Sequence, residues 1–488
     1  MTPRPAFPLP VALIAVTGGA LRAVGALFRR PWHDEYFTAW VASLPWREVV
    51  PTLAQDSGPP LPYLLTKLVA AGGIGELAAA RGLAVIAGTL AILVVARAAA
   101  TTAGERAAMW AAALLAVHPL AIAWSAEGRA YAYLLLGAAL VWDGLADLAR
   151  QKRGAAKLAV GVALALWTHG LGVILLAVSM AVVVLLPGPA RRRALTAAGL
   201  AAVSFLPWLP VMLQQPVASV AWMQRAWQSL PTWRAVLAPW ELLVPIARFG
   251  NSLDLPSAPV PVVVAGAAAA LGLFTFAVLA LRGLGALPLA LAVGPGLCLA
   301  ILAHLSLPVF YPGRGEALYL APVIGLLAAG AAHGRGTALL AALLVAAGSG
   351  MSGLTLGNWK STPPRPEEHL AAALLTHLPG GGFVLVEGYW RLGLWYHLGE
   401  GRSRFDVRVF PPAADAHPGW YEGGATPADA EAAFRYLTAA VEGGGAVACV
   451  LPPPPADSAL RPAAAAAALT PVARTAGAEL WVRRGAVP

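Results

Sequence analysis

Two adjacent carboxylic acids, Asp34 and Glu35, follow the first long apolar segment, within residues 29–36 (RRPWHDEY). Ionisable side chains at a membrane boundary are costly to bury, so they usually serve a function. Adjacent residues of a helix point about 100° apart, which lets one acid face a substrate while the other orients a partner. We interpret both as candidate catalytic residues, with His33 beside them. The alternative is that Asp34 only caps a helix that begins at Glu35.

Two arginines lie next to aromatic and acidic residues. Arg129 belongs to residues 125–131 (SAEGRAY), together with Glu127 and Tyr131, and Arg314 belongs to residues 311–316 (YPGRGE). The planar guanidinium offers a fork of N–H donors that suits a phosphate group. An arginine at membrane depth needs a partner, so the alternative for each is an ion pair with a nearby acid.

Two more polar residues could contact a substrate. Asp56 precedes Gly58-Pro59-Pro60 and could bind a sugar hydroxyl or a metal ion, or cap the helix that follows. The sequence leaves these alternatives open. His169 lies in the turn 167–170 (WTHG) and could be a ligand or a base, although a turn histidine with satisfied hydrogen bonds is the commoner case.

The remaining ionisable residues are interpreted as structural. Asp143 and Asp147 are four residues apart on one helical face beside Arg150 and Arg153, and we expect them to be ion-paired there. The histidines of the C-terminal part are scattered and lack the spacing of metal ligands; they are His369, His377, His397 and His417.

These residues belong to a 488-residue chain that is 58% hydrophobic and only 12% charged, with a mean hydropathy of +0.68. Soluble domains carry about 25% charged residues, so the composition indicates an integral membrane protein. The net charge of +10 is better explained by basic cytoplasmic loops than by a nucleic-acid partner. Two cysteines exclude a disulfide framework. Segment 9–28 is long enough to span a membrane, and we expect no removable signal peptide.

The basic loops determine the predicted topology. Loops 149–157 and 190–193 are the most basic and should both be cytoplasmic, so an even number of spans separates them, and 155–168 must cross as a short span. Segment 59–72 then becomes a juxtamembrane or re-entrant helix. The N-terminus lies inside, and the outer loops include 29–80 and 213–258. The eleven predicted spans are 9–28, 81–97, 107–124, 130–149, 155–168, 171–187, 194–212, 259–281, 286–303, 315–332 and 337–354.

The sequence changes character after residue 354. Residues 358–364 read as a linker, and the rest alternates helical and strand patterns. Helices are predicted near 366–378, 428–442 and 459–468, and strands at 383–387, 407–410, 447–451 and 479–482. We therefore predict an all-α polytopic membrane module over residues 1–357, followed by a small extracytoplasmic α/β domain over residues 358–488.

Four motifs, taken in order, resemble the GT-C superfamily of polyprenyl-phosphate-dependent glycosyltransferases. The similarity is greatest to the branch of protein O-mannosyltransferases and lipid A aminoarabinose transferases. The pair Asp34-Glu35 matches the first-loop acidic motif, and residues 56–63 (DSGPPLPY) resemble the His-Pro-Pro-Leu-Tyr-Tyr element. Residues 125–131 resemble Glu-Ala-Arg-Met-Tyr, and residues 167–170 resemble Tyr-Thr-His-Tyr. Two positions depart: Gly58 stands where the family has histidine, and Gly313-Arg314-Gly315 stands where Pro-Arg-Tyr is usual.

The resemblance implies an inverting hexosyl or pentosyl transfer at the outer face of a bacterial plasma membrane. The donor is a polyprenyl-phosphate-linked sugar, and the acceptor is a glycan, lipid or protein hydroxyl of the cell envelope. Asp34, with Glu35 beside it, fits the base that takes the acceptor proton, and Arg129 and Arg314 fit the donor phosphate. Further substrate contacts or supporting positions are His33, Asp56, Glu127, Tyr131 and His169. No cofactor is certain, and a divalent metal is left open.

Two other classes of protein remain as alternatives. In a transporter or lipid flippase the buried charges would line a path, but transporters tend to show repeat symmetry and charges near the span centres. The ionisable clusters of this chain all fall on one predicted face. A cell-envelope scaffold that acts through its C-terminal domain would leave the first-loop acids without a role.

Overall fold

The computed structural model describes residues 8–217, 219, 268–277, 287–304, 314–388, 390–415, 417, 419, 425–453 and 458–484. The chain divides into two compact units, Met1–Arg29 with Ser57–Ser361, and Arg30–Asp56 with Thr362–Pro488. The predicted division fell at residue 357 and assigned residues 30–56 to the first module. In the structure, their contacts group them with the C-terminal residues instead.

Helices account for all regular structure described before residue 362. In chain order they are α1 Leu9–Phe28, α2 His33–Ser43, α3 Trp46–Ala54, α4 Leu61–Ala70, α5 Glu76–Ala103, α6 Glu105–Ala116, α7 Pro119–Ala126, α8 Tyr131–Ala149, α9 Ala155–Thr168, α10 Gly172–Val182, α11 Gly188–Phe205, α12 Leu209–Gln214, α13 Ala268–Ala277, α14 Leu287–His304, α15 Leu320–Ala331 and α16 Arg335–Ser361. Short 3₁₀ turns follow α10 and precede α15.

By length and composition, four helical stretches of the described residues could cross a membrane: α1, α5, α8 and the stretch Arg335–His377, which begins with α16. The bent pair α6 and α7 would make a fifth. The chain is therefore a multi-pass membrane protein, and the count of eleven spans and their orientation stay predictions. The ten residues of α4 reach about 15 Å, half of a hydrocarbon core of about 30 Å.

The predicted span 107–124 is broken, because α6 and α7 meet at an angle of 58°. Proline at position 119 disfavours a helical conformation for His118 and begins α7 as its first residue. The carbonyl groups freed at the end of α6 are satisfied by Arg22, a fully buried residue of α1. Its guanidinium donates to the carbonyl oxygens of Leu115 at 2.9 Å and Ala116 at 3.0 Å. Arg22 thus links α1 to the end of α6, where the break lies.

The carboxylates of α8 are ion-paired, as expected, but with other partners. Asp143 lies 2.6 Å from Arg97 of α5 and 2.9 Å from Lys157 of α9. Asp147 lies 3.2 Å from Arg97 and also contacts Lys157. The predicted partners Arg150 and Arg153 were wrong, because α5 and α9 both pack against α8 and bring opposite charges to its inward face.

The C-terminal residues of the second unit form an α/β domain. Its elements are α17 Pro366–His377, β1 Gly382–Glu387, α18 Trp390–Leu398, β2 Phe405–Phe410, α19 Pro427–Glu442, β3 Val447–Leu451, α20 Leu460–Ala466, β4 Thr470–Arg474 and β5 Glu479–Arg483. The sheet order is β2-β1-β3-β5-β4. Strand β1 runs parallel to β2 and β3, whereas β5 is antiparallel to β3 and β4.

Successive side chains of a strand point to opposite faces of the sheet, so the central strands contribute to two hydrophobic cores, one on each face. Val384 and Val386 of β1 pack with α17 and α18, and Leu385 packs with α19 and α20. All the predicted helices and strands of this domain are present. Helix α18 and strand β4 were missed, because α18 has only nine residues and β4 is a short, irregular edge strand that contains Pro471. The predicted linker at 358–364 is helical as far as Ser361.

Candidate functional site

Arg129 occupies the short connection between α7 and α8. Its backbone N–H donates to the carbonyl oxygen of Glu127 at 2.7 Å, which turns the chain tightly before α8 begins. The guanidinium donates to the phenolic oxygen of Tyr63 at 3.2 Å. Tyr63 lies in the first turn of α4, a helix with Pro60 at its N-cap and Pro62 near its start. The Pro-rich element therefore positions a hydroxyl group beside Arg129.

Arg314 precedes the 3₁₀ turn that leads into α15, and its side chain is buried. It donates to the phenolic oxygen of Tyr131 at 2.9 Å, and its guanidinium carbon lies 5.3 Å from the centre of that ring. Tyr131 is the first residue of α8 and is itself buried. Only Ala130 separates Arg129 from Tyr131, so one short stretch of chain supplies Arg129 and also the hydroxyl group that contacts Arg314.

His169 lies close enough to both Arg129 and Arg314 for their charges to act on its ring. Its ring lies 5.6 Å from that of Tyr131, and its Nδ1 accepts a hydrogen bond from the backbone N–H of Leu171 at 3.2 Å. Burial, together with the charges of Arg129 and Arg314, lowers the pKa of His169 to about 3. The imidazole is neutral at physiological pH, and with Nδ1 accepting, its proton lies on Nε2.

We call Tyr63, Arg129, Tyr131, His169 and Arg314 the arginine–tyrosine cluster. Four of its residues come from three of the four sequence motifs, and the fifth is Arg314. All five belong to the first unit. Two guanidinium groups, two hydroxyl groups and one imidazole N–H are donors, and two of them carry a permanent positive charge. This chemistry suits an anion with several oxygen atoms.

Glu127 has a structural partner. Its carboxylate lies 3.1 Å from the guanidinium of Arg29, and both side chains are almost fully buried. Arg29 also lies over the ring of Trp359 at 5.6 Å, and Arg81 of α5 donates to the carbonyl oxygen of Arg29 at 2.9 Å. The sequence did not suggest Arg29 as a partner of Glu127, and this ion pair lies at the C-terminal end of α1. Sequence reasoning passed over Arg22, Arg29 and Arg81; the signal was an arginine inside or beside an apolar segment.

The first-loop acids begin α2. Its N-cap is Trp32, so Asp34 is a residue of the first turn and not the cap. Carboxylates in the first turn are favoured by the helix dipole. The side chain of Glu35 is fully buried, whereas Asp34 is partly exposed. Of the two acids, Asp34 is therefore the one that can meet a substrate.

Other residues of the second unit hold this helix. His33 donates from Nε2 to the carbonyl oxygen of Gly419 at 2.8 Å. The phenolic oxygen of Tyr36 and Nε2 of His397 share a hydrogen bond of 2.8 Å. His417 accepts at Nδ1 from the N–H of Gly419 at 3.1 Å, and burial together with His33 lowers its pKa to about 4. Nothing in the sequence indicated that Tyr36, His397 and His417 lie in one unit, because Tyr36 is hundreds of residues away from the two histidines.

Asp56 follows α3 and does not cap α4, whose N-cap is Pro60. Its backbone N–H donates to the carbonyl oxygen of Leu53 at 3.1 Å. Nearly all of the predicted outer loop 213–258, and residues 311–313, lie outside the described residues. Within the described ranges, no group of three or more His, Cys, Asp or Glu side chains could hold a metal ion.

No protein-family model matches the sequence, and no curated protein sequence matches it. Among solved structures, the chain is similar to ArnT from Cupriavidus metallidurans in the apo state, with 15% identity, 97% of each chain covered and a TM-score of 0.65. It is also similar to ArnT from the same organism bound to undecaprenyl phosphate, with 16% identity, 97% of each chain covered and a TM-score of 0.63. The predicted fold class is confirmed: a largely helical membrane protein with a small C-terminal α/β domain, with the fold of ArnT.

Proposed function

We propose that this chain is an inverting glycosyltransferase that moves a sugar from a polyprenyl-phosphate donor to a hydroxyl group of a cell-envelope glycan, lipid or protein. The observation that carries the proposal is the arginine–tyrosine cluster, which offers donors for a phosphate in a chain with the fold of ArnT. One of the similar ArnT structures contains undecaprenyl phosphate, a ligand of that chemistry.

The cluster acts on the leaving group. When the bond between the anomeric carbon and the phosphate oxygen breaks, its electron pair stays on the phosphate, which gains negative charge. Arg129 and Arg314 are already oriented by Tyr63 and Tyr131, so they stabilise this charge without reorganising. An interaction that strengthens as the charge develops lowers the barrier more than it tightens binding of the donor.

Asp34 acts on the acceptor. The acceptor oxygen forms the new bond to the anomeric carbon from the side opposite the phosphate, and its proton passes to the carboxylate of Asp34. The products are the glycosylated acceptor and the free polyprenyl phosphate. Glu35 is fully buried, so we assign the proton transfer to Asp34, the more exposed of the two acids.

The reaction is proposed for the outer face of a bacterial plasma membrane. The most basic loops, 149–157 and 190–193, belong on the cytoplasmic side, and this orientation puts the motifs and residues 358–488 outside. A lipid phosphate is itself a leaving group, so the chemistry needs no nucleotide-binding fold.

Transfer by the full chain in lipid nanodiscs tests the proposal. Undecaprenyl-phosphate hexoses and pentoses are offered with envelope lipid and glycan acceptors, and both the labelled product and its anomeric configuration are measured. We expect transfer with inversion, and a loss of roughly 10²–10⁴-fold for Asp34→Asn, which removes the proton acceptor but keeps the shape. Asp406→Asn, an exposed acid in β2, is the matched control.

Two results would contradict this assignment. Wild-type turnover by Asp34→Asn would move the base to Glu35. Failure of every donor in the wild-type chain, together with movement of the labelled lipid between leaflets of proteoliposomes, would replace the transferase by a flippase.

A further inference from the structure

The segment 30–56 packs within the second unit, together with residues 362–488. Helix α2 has only 11 residues, too short to be stable in water by itself. Its apolar residues Tyr36, Phe37 and Val41 are buried, and the helix packs on α18. The conformation of the first-loop acids therefore depends on the C-terminal residues.

Two polar contacts hold the beginning of α2. His33 donates to the carbonyl oxygen of Gly419, and Tyr36 shares a hydrogen bond with His397, both at 2.8 Å. Positions 33 and 36 are three apart, so they lie on the same face of the helix. Asp34 lies between them in sequence and points to another side. Two anchors on one face fix the rotation of the helix about its axis, and with it the direction of Asp34.

The anchor at Tyr36 is the better enclosed of the two. Tyr36 is fully buried, and its ring packs against Tyr396 at 5.3 Å and His397 at 5.5 Å. An ion pair between Arg30 and Glu368, at 3.4 Å, also joins the two segments, but its side chains are more than a third exposed. Exposed ion pairs contribute little, so the Tyr36–His397 contact is the stronger restraint.

We propose that Tyr36 and His397 are positioning residues that orient Asp34 for proton transfer. This inference rests on the proposed function, because it assigns to the C-terminal α/β domain the task of holding the catalytic acid. The domain contributes His397 from α18, while the acid comes from a helix more than 300 residues earlier in the chain. A small displacement of a catalytic group is enough to slow a reaction by up to about 100-fold.

Kinetics of the full chain in nanodiscs test the inference. We expect Tyr36→Phe and His397→Leu each to lower kcat at least several-fold while the Kd for undecaprenyl phosphate stays unchanged. His397→Gln should retain most of the rate, because its amide can replace Nε2 as a hydrogen-bonding group. The double variant Tyr36→Phe/His397→Leu should be no slower than the slower single variant, since both remove the same contact.

The matched controls are Tyr436→Phe and His369→Leu, both exposed residues of the C-terminal domain. They should leave kcat unchanged. A readout independent of activity is amide hydrogen exchange of residues 33–43, which should be faster in Tyr36→Phe and His397→Leu than in the controls.

Three outcomes would overturn the inference. They are wild-type kcat in Tyr36→Phe, multiplied losses in the double variant, and unchanged exchange of residues 33–43. If the wild-type chain transfers no sugar, the proposed function fails, and the exchange measurement alone still decides whether Tyr36 and His397 hold α2.

Discussion

Arg29 and Glu127 form a salt bridge of 3.1 Å between side chains that are 1% and 0% exposed. Removing one partner of such a pair leaves an uncompensated buried charge, which typically costs about 3–5 kcal/mol. We expect Glu127→Leu to destabilise the protein by that order, and Arg29→Met/Glu127→Leu to destabilise it less, because neither charge is left alone. Thermal unfolding in detergent measures both. Glu442→Leu, at an exposed position, is the control; equal losses in the single and double variants would contradict the pairing.

Arg129 should be needed for the phosphate group of the lipid and not for its chain. Losing hydrogen bonds from a charged donor costs about 1.5–3 kcal/mol, or roughly 10–100-fold in Kd. Arg129→Ala should therefore weaken undecaprenyl phosphate binding but not undecaprenol binding. Arg129→Lys should restore only part of the affinity, because lysine lacks the planar fork. Arg106→Ala, at an exposed position of α6, should bind as the wild type does. Unchanged affinity in Arg129→Ala would make Arg129 a structural residue.

His169 should make the fold sensitive to acid. Its pKa is lowered to about 3 in the folded chain, whereas an unfolded histidine titrates near 6.5. The unfolded state therefore binds a proton first, and stability is lost as the pH falls from about 6.5 towards 3. The unfolding temperature of His169→Gln should fall less between pH 7.5 and pH 4.5 than that of the wild type. Parallel pH dependence in the two proteins would exclude His169 as the cause.

The orientation of the second unit can be read by cysteine labelling. In a Cys298→Ala/Cys449→Ala background, a cysteine at the exposed position Asp406 should react with an impermeant maleimide in intact cells. A cysteine at Arg153, in a loop predicted to be cytoplasmic, should react only after the cells are permeabilised. The reverse pattern would invert the predicted topology.

Local patterns predicted much of this fold. The apolar lengths located α1, α8 and α9, and alternation located β1 and β3, because these elements bury side chains at the period of their own backbone. The break between α6 and α7 was missed although Pro119 is visible in the sequence. Its stability depends on Arg22, a partner almost a hundred residues away.

Single residues of the candidate site could be proposed from the sequence, but the contacts between them could not. Asp34, Arg129 and Arg314 could be proposed as site residues because an ionisable residue beside an apolar segment stands out by its burial cost. The residues that position these side chains and helix α2 could not be identified in the same way. Tyr63, Tyr36 and His397 are ordinary residues for their segments, and they acquire a role only through contacts across long sequence separations.

The second unit is assembled from two segments that are made at different times. Ribosomes add about 5–20 residues per second. The synthesis of residues 57–361 therefore separates the synthesis of α2 from that of α17 and α18 by on the order of 15–60 s. During that interval Tyr36, Phe37 and Val41 have no core to enter, and the nascent chain must shelter them by other means. A chain that stops before α17 and α18 leaves residues 33–43 without the residues that bury them, and therefore accessible to a protease or chaperone. Because α17 and α18 are synthesised so long after α2, the accessibility of residues 33–43 distinguishes an incomplete chain from a complete one.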